Sequence, residues 1–211
     1  MTKWFRKTLY GVVVAGISIS AFGSTDELFV AVTRDDPGRL SAVLQRGADP
    51  NARNPHGQPA LTLAIQAGSA RVASALIDTA ALQVDAVNEA GETALMMAAL
   101  KGEFEFARRL IARGARIQQD GWCALHYAAT GPEPRIVGYL LDRGAAIDAE
   151  SPNRTTPLMM AARYGDEASV TLLLTRGADP RRRNDHELTA ADFARLAGRE
   201  SLAARLDRLV R

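Results

Sequence analysis

The sequence predicts an all-α chain, a solenoid of about six helix-turn-helix repeats joined by hairpin-like loops. Three observations lead there. One motif recurs: Gly91-Glu92-Thr93-Ala94-Leu95-Met96-Met97-Ala98-Ala99 returns as Gly121-Trp122-Cys123-Ala124-Leu125-His126-Tyr127-Ala128-Ala129, and again as Arg154-Thr155-Thr156-Pro157-Leu158-Met159-Met160-Ala161-Ala162. Each copy leads into an apolar stretch ending in Gly-Ala, at Gly114-Ala115, Gly144-Ala145 and Gly177-Ala178. The spacing is fixed in one leg of the repeat and variable in the other.

Thr156 marks a key position whose equivalents are Pro59, Thr93, Cys123 and Thr189, at spacings of 34, 30, 33 and 33 residues. From key residue to Gly-Ala the distance is always 21, with Ala80-Ala81 standing in for Gly-Ala in the second copy. The return leg is 12, 13, 9, 12 and 12 residues long in chain order. The constant leg holds two short antiparallel helices whose apolar faces stack on neighbouring copies, so a length change there breaks the core. The variable leg is an exposed loop, where insertions and deletions cost little. The three-residue deletion before Trp122 shortens one loop finger.

Within a copy the helical signals agree. Leu158, Ala161 and Ala162 fall three and four apart, on one face of a helix. Thr155 and Thr156 stand where an N-cap is wanted, and Pro157 suits a first turn. Gly165 ends this helix. Val170, Leu172, Leu173 and Leu174 form the apolar face of the next, which Gly177 closes in a left-handed conformation. Alanine pairs such as Ala98-Ala99 and Ala128-Ala129 let adjacent helices approach closely. The prolines of Gly131-Pro132-Glu133-Pro134 are expected to shift the start of the following helix.

The outer copies are atypical. Residues 26–46 carry two helical stretches with Leu28, Phe29, Val32, Leu40, Val43 and Leu44 apolar, and Asp35-Asp36-Pro37-Gly38 reads as the turn between them. A degenerate last copy opens at Leu188-Thr189-Ala190-Ala191-Asp192-Phe193-Ala194, with a polar second helix expected over Ser201 to Val210. Such polar terminal copies keep a stacked array soluble. The repeats are placed at 24–53, 54–87, 88–117, 118–150, 151–183 and 184–211.

These motifs resemble the ankyrin repeat, whose core pattern is Thr-Pro-Leu-His-x-Ala. The resemblance covers residues 25–211 and implies protein recognition rather than catalysis. It also implies a structural role for His126, which matches the motif histidine that hydrogen-bonds between loops of adjacent repeats. Cys123 matches the motif threonine, normally buried.

Residues 1–23 lie outside the repeat. Lys3, Arg6 and Lys7 precede an uncharged stretch from Thr8 to Phe22, and Ala21-Phe22-Gly23 places small residues where a signal peptidase reads. A secretory signal peptide is expected, cut before Ser24, with a periplasmic or secreted product. The alternative is an uncleaved N-terminal membrane anchor, for which the 15-residue apolar stretch is short. The chain has 26 basic and 24 acidic residues; without the three basic residues of the leader the remainder is 23 minus 24, or −1. A nucleic-acid partner is therefore not implied. Cys123 is the sole cysteine, so no intramolecular disulfide forms.

No nucleophile motif, phosphate loop or metal spacing stands out, and no cofactor or metal is expected. His56 and His186 match one loop position four repeats apart, too far to share a metal. Arg181-Arg182-Arg183 reads as a solvated loop. The expected function is a non-catalytic, monomeric module binding a protein partner. In the family the partner contacts the concave face made by loop fingers and exposed positions of each first helix. Carried over copy by copy, the partner-binding candidates are Gln66, Glu92, Lys101, Trp122, Arg163, Tyr164 and Arg195. Trp122 and Tyr164 head this set as large aromatics at solvent positions; the shortened finger either uncovers Trp122 as a hot spot or leaves a gap over which it folds and packs locally. Tyr127, Met97, Met160 and Phe193 are read as half-buried core rim. Two other classes stay open: a secreted effector acting in a host cell, and an enzyme or small-ligand binder near Trp122 and Cys123.

Overall fold

The key residues open helices by satisfying backbone N–H groups that a first turn leaves unpaired. In the computed structural model, which describes residues 24–210, Thr93 Oγ1 accepts from Met96 N at 3.3 Å, and Thr156 Oγ1 from Met159 N at 3.4 Å. Thr189 adds a reciprocal contact, with Asp192 Oδ2 accepting from Thr189 N at 2.8 Å. Cys123 offers no such oxygen, and its helix uses the other half of the box: His126 Nδ1 accepts from Cys123 N at 3.2 Å.

The described residues fall into two compact units, one ending at Gly91 and one beginning at Glu92. The first holds α1 (24–33), α2 (Pro37–Gln45), α3 (Ala60–Ala67) and α4 (Ala70–Asp78). The second holds four helix pairs: α5 (Ala94–Lys101) with α6 (Phe104–Ala112), α7 (Ala124–Thr130) with α8 (Pro134–Leu141), α9 (Pro157–Tyr164) with α10 (Glu167–Thr175), and α11 (Ala190–Leu196) with α12 (Glu200–Leu209). No strand occurs among the described residues, where one isolated bridge joins Arg53 and Pro59. The all-α repeat architecture read from the sequence is the one observed.

In the second unit α5, α7, α9 and α11 pack in one row, and α6, α8 and α10 in another. The core between them is aliphatic, with Leu95, Leu110, Leu125, Ile136, Leu140, Leu158, Val170 and Leu173 all without solvent exposure. Leu172 and Leu174, expected on the same face as Val170, are only half-buried.

Every second helix from α4 onward begins 11 residues after its key residue: Pro59 to Ala70, Thr93 to Phe104, Cys123 to Pro134, Thr156 to Glu167, Thr189 to Glu200. The two prolines of the fourth copy therefore shift nothing, contrary to expectation. Pro134 takes the first helical turn, where its missing N–H is harmless, and Glu133 caps α8 by accepting from Arg135 N at 3.2 Å. Ala80-Ala81 is an imperfect stand-in for Gly-Ala. Without glycine there, α4 leaves the helix through Thr79 in extended backbone, at φ −69° and ψ 126°.

The loops are hairpin-like, closed by Asn54 N to Gln58 O, Ser151 N to Thr155 O and Asn184 N to Leu188 O at 3.0, 3.0 and 3.1 Å. Polar side chains near the start of three loops tie neighbouring copies together within each unit. Asn51 Oδ1 accepts from Gln83 N (2.7 Å) in the first unit; Gln118 Oε1 accepts from Ala146 N (3.2 Å) and Asp148 Oδ1 from Asp179 N (3.1 Å) in the second.

Gly165 ends α9 for a reason other than the left-handed conformation. Its backbone is extended, at φ −83° and ψ 179°. A Cβ there would stand 2.1 Å from the carbonyl oxygen of Ala129, on the neighbouring first helix. Gly144 is the opposite case, left-handed at φ 87° with open space around a would-be Cβ. Gly165→Ala is expected to destabilise the protein by about 3 kcal/mol, through overpacking against backbone that cannot yield. Gly144→Ala is expected to cost about 1 kcal/mol, the backbone strain alone. Urea unfolding of the two variants checks the order; equal midpoints contradict it.

Candidate functional site

The second unit carries a groove along the ends of its first helices. Seven residues past each key position stand Leu100, Thr130, Arg163 and Leu196, and the next residues include Lys101 and Tyr164. Lys101 and Tyr164 are exposed, Tyr164 at 54%, while Leu100, Thr130 and Arg163 are half-buried. Trp122 comes off the shortened finger and is half-buried.

Two cavities meet at Trp122 and Met160. The first, about 230 Å³, is lined by Leu100, Trp122, His126, Tyr127, Thr130 and Met160. The second, about 270 Å³, continues past Trp122 and Met160 to Asn153, Thr155, Arg163, Tyr164, His186, Leu188 and neighbouring residues. The Arg163 guanidinium lies 5.0 Å from the Tyr164 ring centre.

Of the two readings the sequence leaves open for Trp122, the structure shows the local packing. The indole packs edge-on against His126, ring centres 5.2 Å apart at 74°. Gln119 Nε2 holds the Trp122 carbonyl at 2.9 Å, and Pro152 of the next copy closes on Gly121. With the finger cut short, the indole folds over its own helix and forms one wall of the groove.

His126 fixes this wall. It is fully buried, Nδ1 takes the Cys123 N–H, and Nε2 lies 3.0 Å from Thr155 O. The carbonyl can only accept, so the proton sits on Nε2 and the imidazole links two adjacent repeats. Burial holds its pKa below the usual histidine value, against the raising effect of its hydrogen bonds. Both nitrogens are committed, which leaves no lone pair for base catalysis. Cys123 Sγ lies 3.2 Å from Nδ1, fully buried, with burial pushing its thiol pKa up. A reactive cysteine needs the reverse, a lowered pKa and access.

The remaining sequence candidates separate. Glu92 joins the groove by accepting from Tyr127 Oη at 2.9 Å, and burial together with that carboxylate raises the tyrosine pKa. Arg195 is turned to the C-terminal helix, paired with Asp192 at 2.7 Å and with Asp207. Gln66 belongs to the first unit, where its Oε1 accepts from Gln58 Nε2 at 3.2 Å. Trp122, Arg163 and Tyr164 are brought together, and Lys101 follows the lining Leu100.

Met160 and Tyr127, read from sequence as core rim, line the first cavity as half-buried side chains. At the equivalent positions Met97 and Phe193 are fully buried, at 4% and 6% exposure. Nothing within a single copy distinguishes them; only the shortened finger marks this copy as different. The arginine run is spoken for, with Arg181 on Asp179, Arg182 on Glu150 and Arg183 on the Glu187 carbonyl. Among the described residues no cluster of His, Cys, Asp and Glu is arranged to hold a metal ion, and no helix is long and apolar enough to cross a membrane. Residues 1–23, read as a signal peptide, lie outside the described residues.

His126→Asn is expected to cost about 1–3 kcal/mol at neutral pH, the range for breaking a buried hydrogen bond and leaving a partner unpaired. The folded pKa is depressed, so the stabilisation is complete above the ordinary histidine value of 6.5 and is lost as pH falls through the folded value. The stability gap between wild type and variant should therefore narrow below that pH. Denaturant titrations across the acid range read it; a gap that widens on acidification contradicts the assignment.

Comparison with known proteins agrees with this geometry. The family profile for ankyrin repeats (3 copies) matches residues 28–120 and 116–184. The chain is 32% identical over 183 residues to Protein glp-1 of Caenorhabditis elegans, covering 79% of this chain and 14% of that protein. It is 31% identical over 191 residues to the B-cell lymphoma 3 protein homolog of Mus musculus, covering 84% of this chain and 43% of that one. The chain thus spans less than half the length of these curated relatives. Among solved structures it is similar to a chain in the complex of the Bd0816 predatory endopeptidase from Bdellovibrio bacteriovorus with immunity protein Bd3460. That likeness has a TM-score of 0.74 and 25% identity, covering 86% of this chain and 97% of that chain.

Proposed function

The chain belongs to the ankyrin-repeat family, and on that premise we propose that it is a non-catalytic module holding a protein partner against the groove of its second unit. Ankyrin repeats are scaffolds for protein–protein contact. The observation that carries the finer reading is the pair of cavities meeting at Trp122 and Met160, bordered by the exposed Tyr164 and the half-buried Arg163. Aromatic and arginine side chains around a concave apolar site are what binding hot spots are made of.

The partner is a protein, in this reading, and it meets the chain in the periplasm or outside the cell. The basic start and apolar stretch of residues 1–23 support that location. The solved structure of similar fold pairs an endopeptidase with an immunity protein, which supports an inhibiting or protecting role toward a partner enzyme. The module works as a monomer and needs neither cofactor nor nucleic acid. The buried Cys123, with its raised thiol pKa, gives the groove no nucleophile.

The test is capture from native periplasmic extract with the purified protein as bait. Tyr164→Ala is the clean variant, because a side chain 54% exposed carries little stability. It is expected to weaken capture about tenfold or more with an unchanged melting midpoint. Trp122→Ala should abolish capture as well but lower stability by about 1 kcal/mol or more, since the ring packs on His126. A partner captured equally by wild type and both variants places the interface elsewhere.

A further inference from the structure

Two properties of the groove go further than its capacity to bind: the chemistry of its first cavity and the unpaired charge beyond it. At about 230 Å³ that cavity is smaller than the roughly 300–1,000 Å³ of small-molecule sites, and it suits one large side chain. The polar groups of its histidine, tyrosine and threonine are already engaged. His126 serves Cys123 N and Thr155 O, Tyr127 Oη donates to Glu92, and Thr130 Oγ1 donates to His126 O at 3.0 Å. What remains is the largely apolar surface of Leu100, Trp122 and Met160. An apolar side chain entering here loses little, whereas a polar one is stripped of water with few partners.

Across the shared wall stands Arg163. Arg154, Arg181, Arg182 and Arg195 each pair with a carboxylate. Arg163 has none among the described residues and instead lies over Tyr164, half-buried. Lys101, beyond the opposite wall at Leu100, is likewise without a carboxylate among the described residues. A partly desolvated guanidinium stacked on an aromatic ring is well placed to receive a carboxylate in bidentate fashion.

Resting on the binding reading above, we infer that the groove recognises a protein segment with a bulky apolar side chain flanked by a carboxylate. The apolar residue fills the cavity against Trp122 and Met160, and the carboxylate pairs with Arg163. The cavity sets what is inserted; the arginine sets the register of the segment along the groove.

The experiment is selection of short random peptides displayed on phage against the purified protein, followed by affinity measurement with synthetic peptides. The expected winners carry Phe, Leu, Ile or Met with Asp or Glu close by. Arg163→Glu is expected to weaken them about tenfold, and selection on that variant should return basic flanks. Arg163 makes no ion pair or side-chain hydrogen bond among the described residues and lies over the Tyr164 ring, so an unchanged melting midpoint certifies the fold. Thr130→Trp, which fills the cavity, should abolish binding of the same peptides.

Winners without acidic residues, or affinity indifferent to Arg163→Glu while Tyr164→Ala still weakens it, overturn this inference and leave the binding face standing. Indifference to Tyr164→Ala and Thr130→Trp as well overturns both. Failure to enrich any peptide overturns the inference alone if partner capture succeeds. A dimer in solution that Arg163→Glu disperses puts a second copy in the groove and overturns it too.

Discussion

The close approach of the first helices in the second unit governs everything built on them. Ala98, Ala99, Ala128, Ala129, Ala161 and Ala162 have no solvent exposure, and a Cβ on Gly165 or Gly131 would collide with the carbonyl of Ala129 or Ala99. Backbones this close leave no room for larger residues. They fix the pitch of the stack, and with it the spacing of Leu100, Thr130 and Arg163 along the groove. The constant 11-residue offset to each second helix is the same constraint seen along the chain. Moving a helix start would rotate its buried face out of register with its neighbours.

A second set of contacts turns stacked helices into a shaped surface. His126 joins the start of α7 to the finger of the next copy through Thr155, and Gln118 and Asp148 make further loop-to-loop bonds. His126 is buried and Asp148 half-buried, and both are satisfied, so each is costly to disturb, whereas the Gln118 contact is exposed. Burial raises the Asp148 carboxyl pKa against the lowering effect of the Asp179 N–H. On this support the short fourth finger lays Trp122 across His126, and the indole becomes the wall shared by two cavities. A structural histidine thereby positions the indole.

Much of this was legible in the residues because the repeat reports on itself. Thr93, Thr156 and Thr189 mark helix starts, and Gly114, Gly144 and Gly177 mark ends. A fixed 21-residue leg between them leaves little freedom in the fold. The site was legible only in part. Repeat position selected Trp122, Arg163 and Tyr164 correctly as neighbours, since residues a period apart stack. It gave no warning that Arg195 would be drawn to Asp192 and Asp207, because that depends on which carboxylates a terminal helix brings back. It read Met97, Tyr127, Met160 and Phe193 alike as half-buried, which holds for Tyr127 and Met160 alone. The equivalents Met97 and Phe193 are buried, and the difference arises from how neighbouring copies cover each position, which no single copy encodes.

The central claim is that a partner protein occupies the groove beside Trp122. The most direct measurement is photocrosslinking in living cells from a photoreactive residue placed at Thr130 or at Tyr164, with Arg108 on the exposed side of α6 as the control position. The account predicts one protein adduct shared by the two groove positions and absent from the control. An adduct formed from Arg108 alone would contradict it.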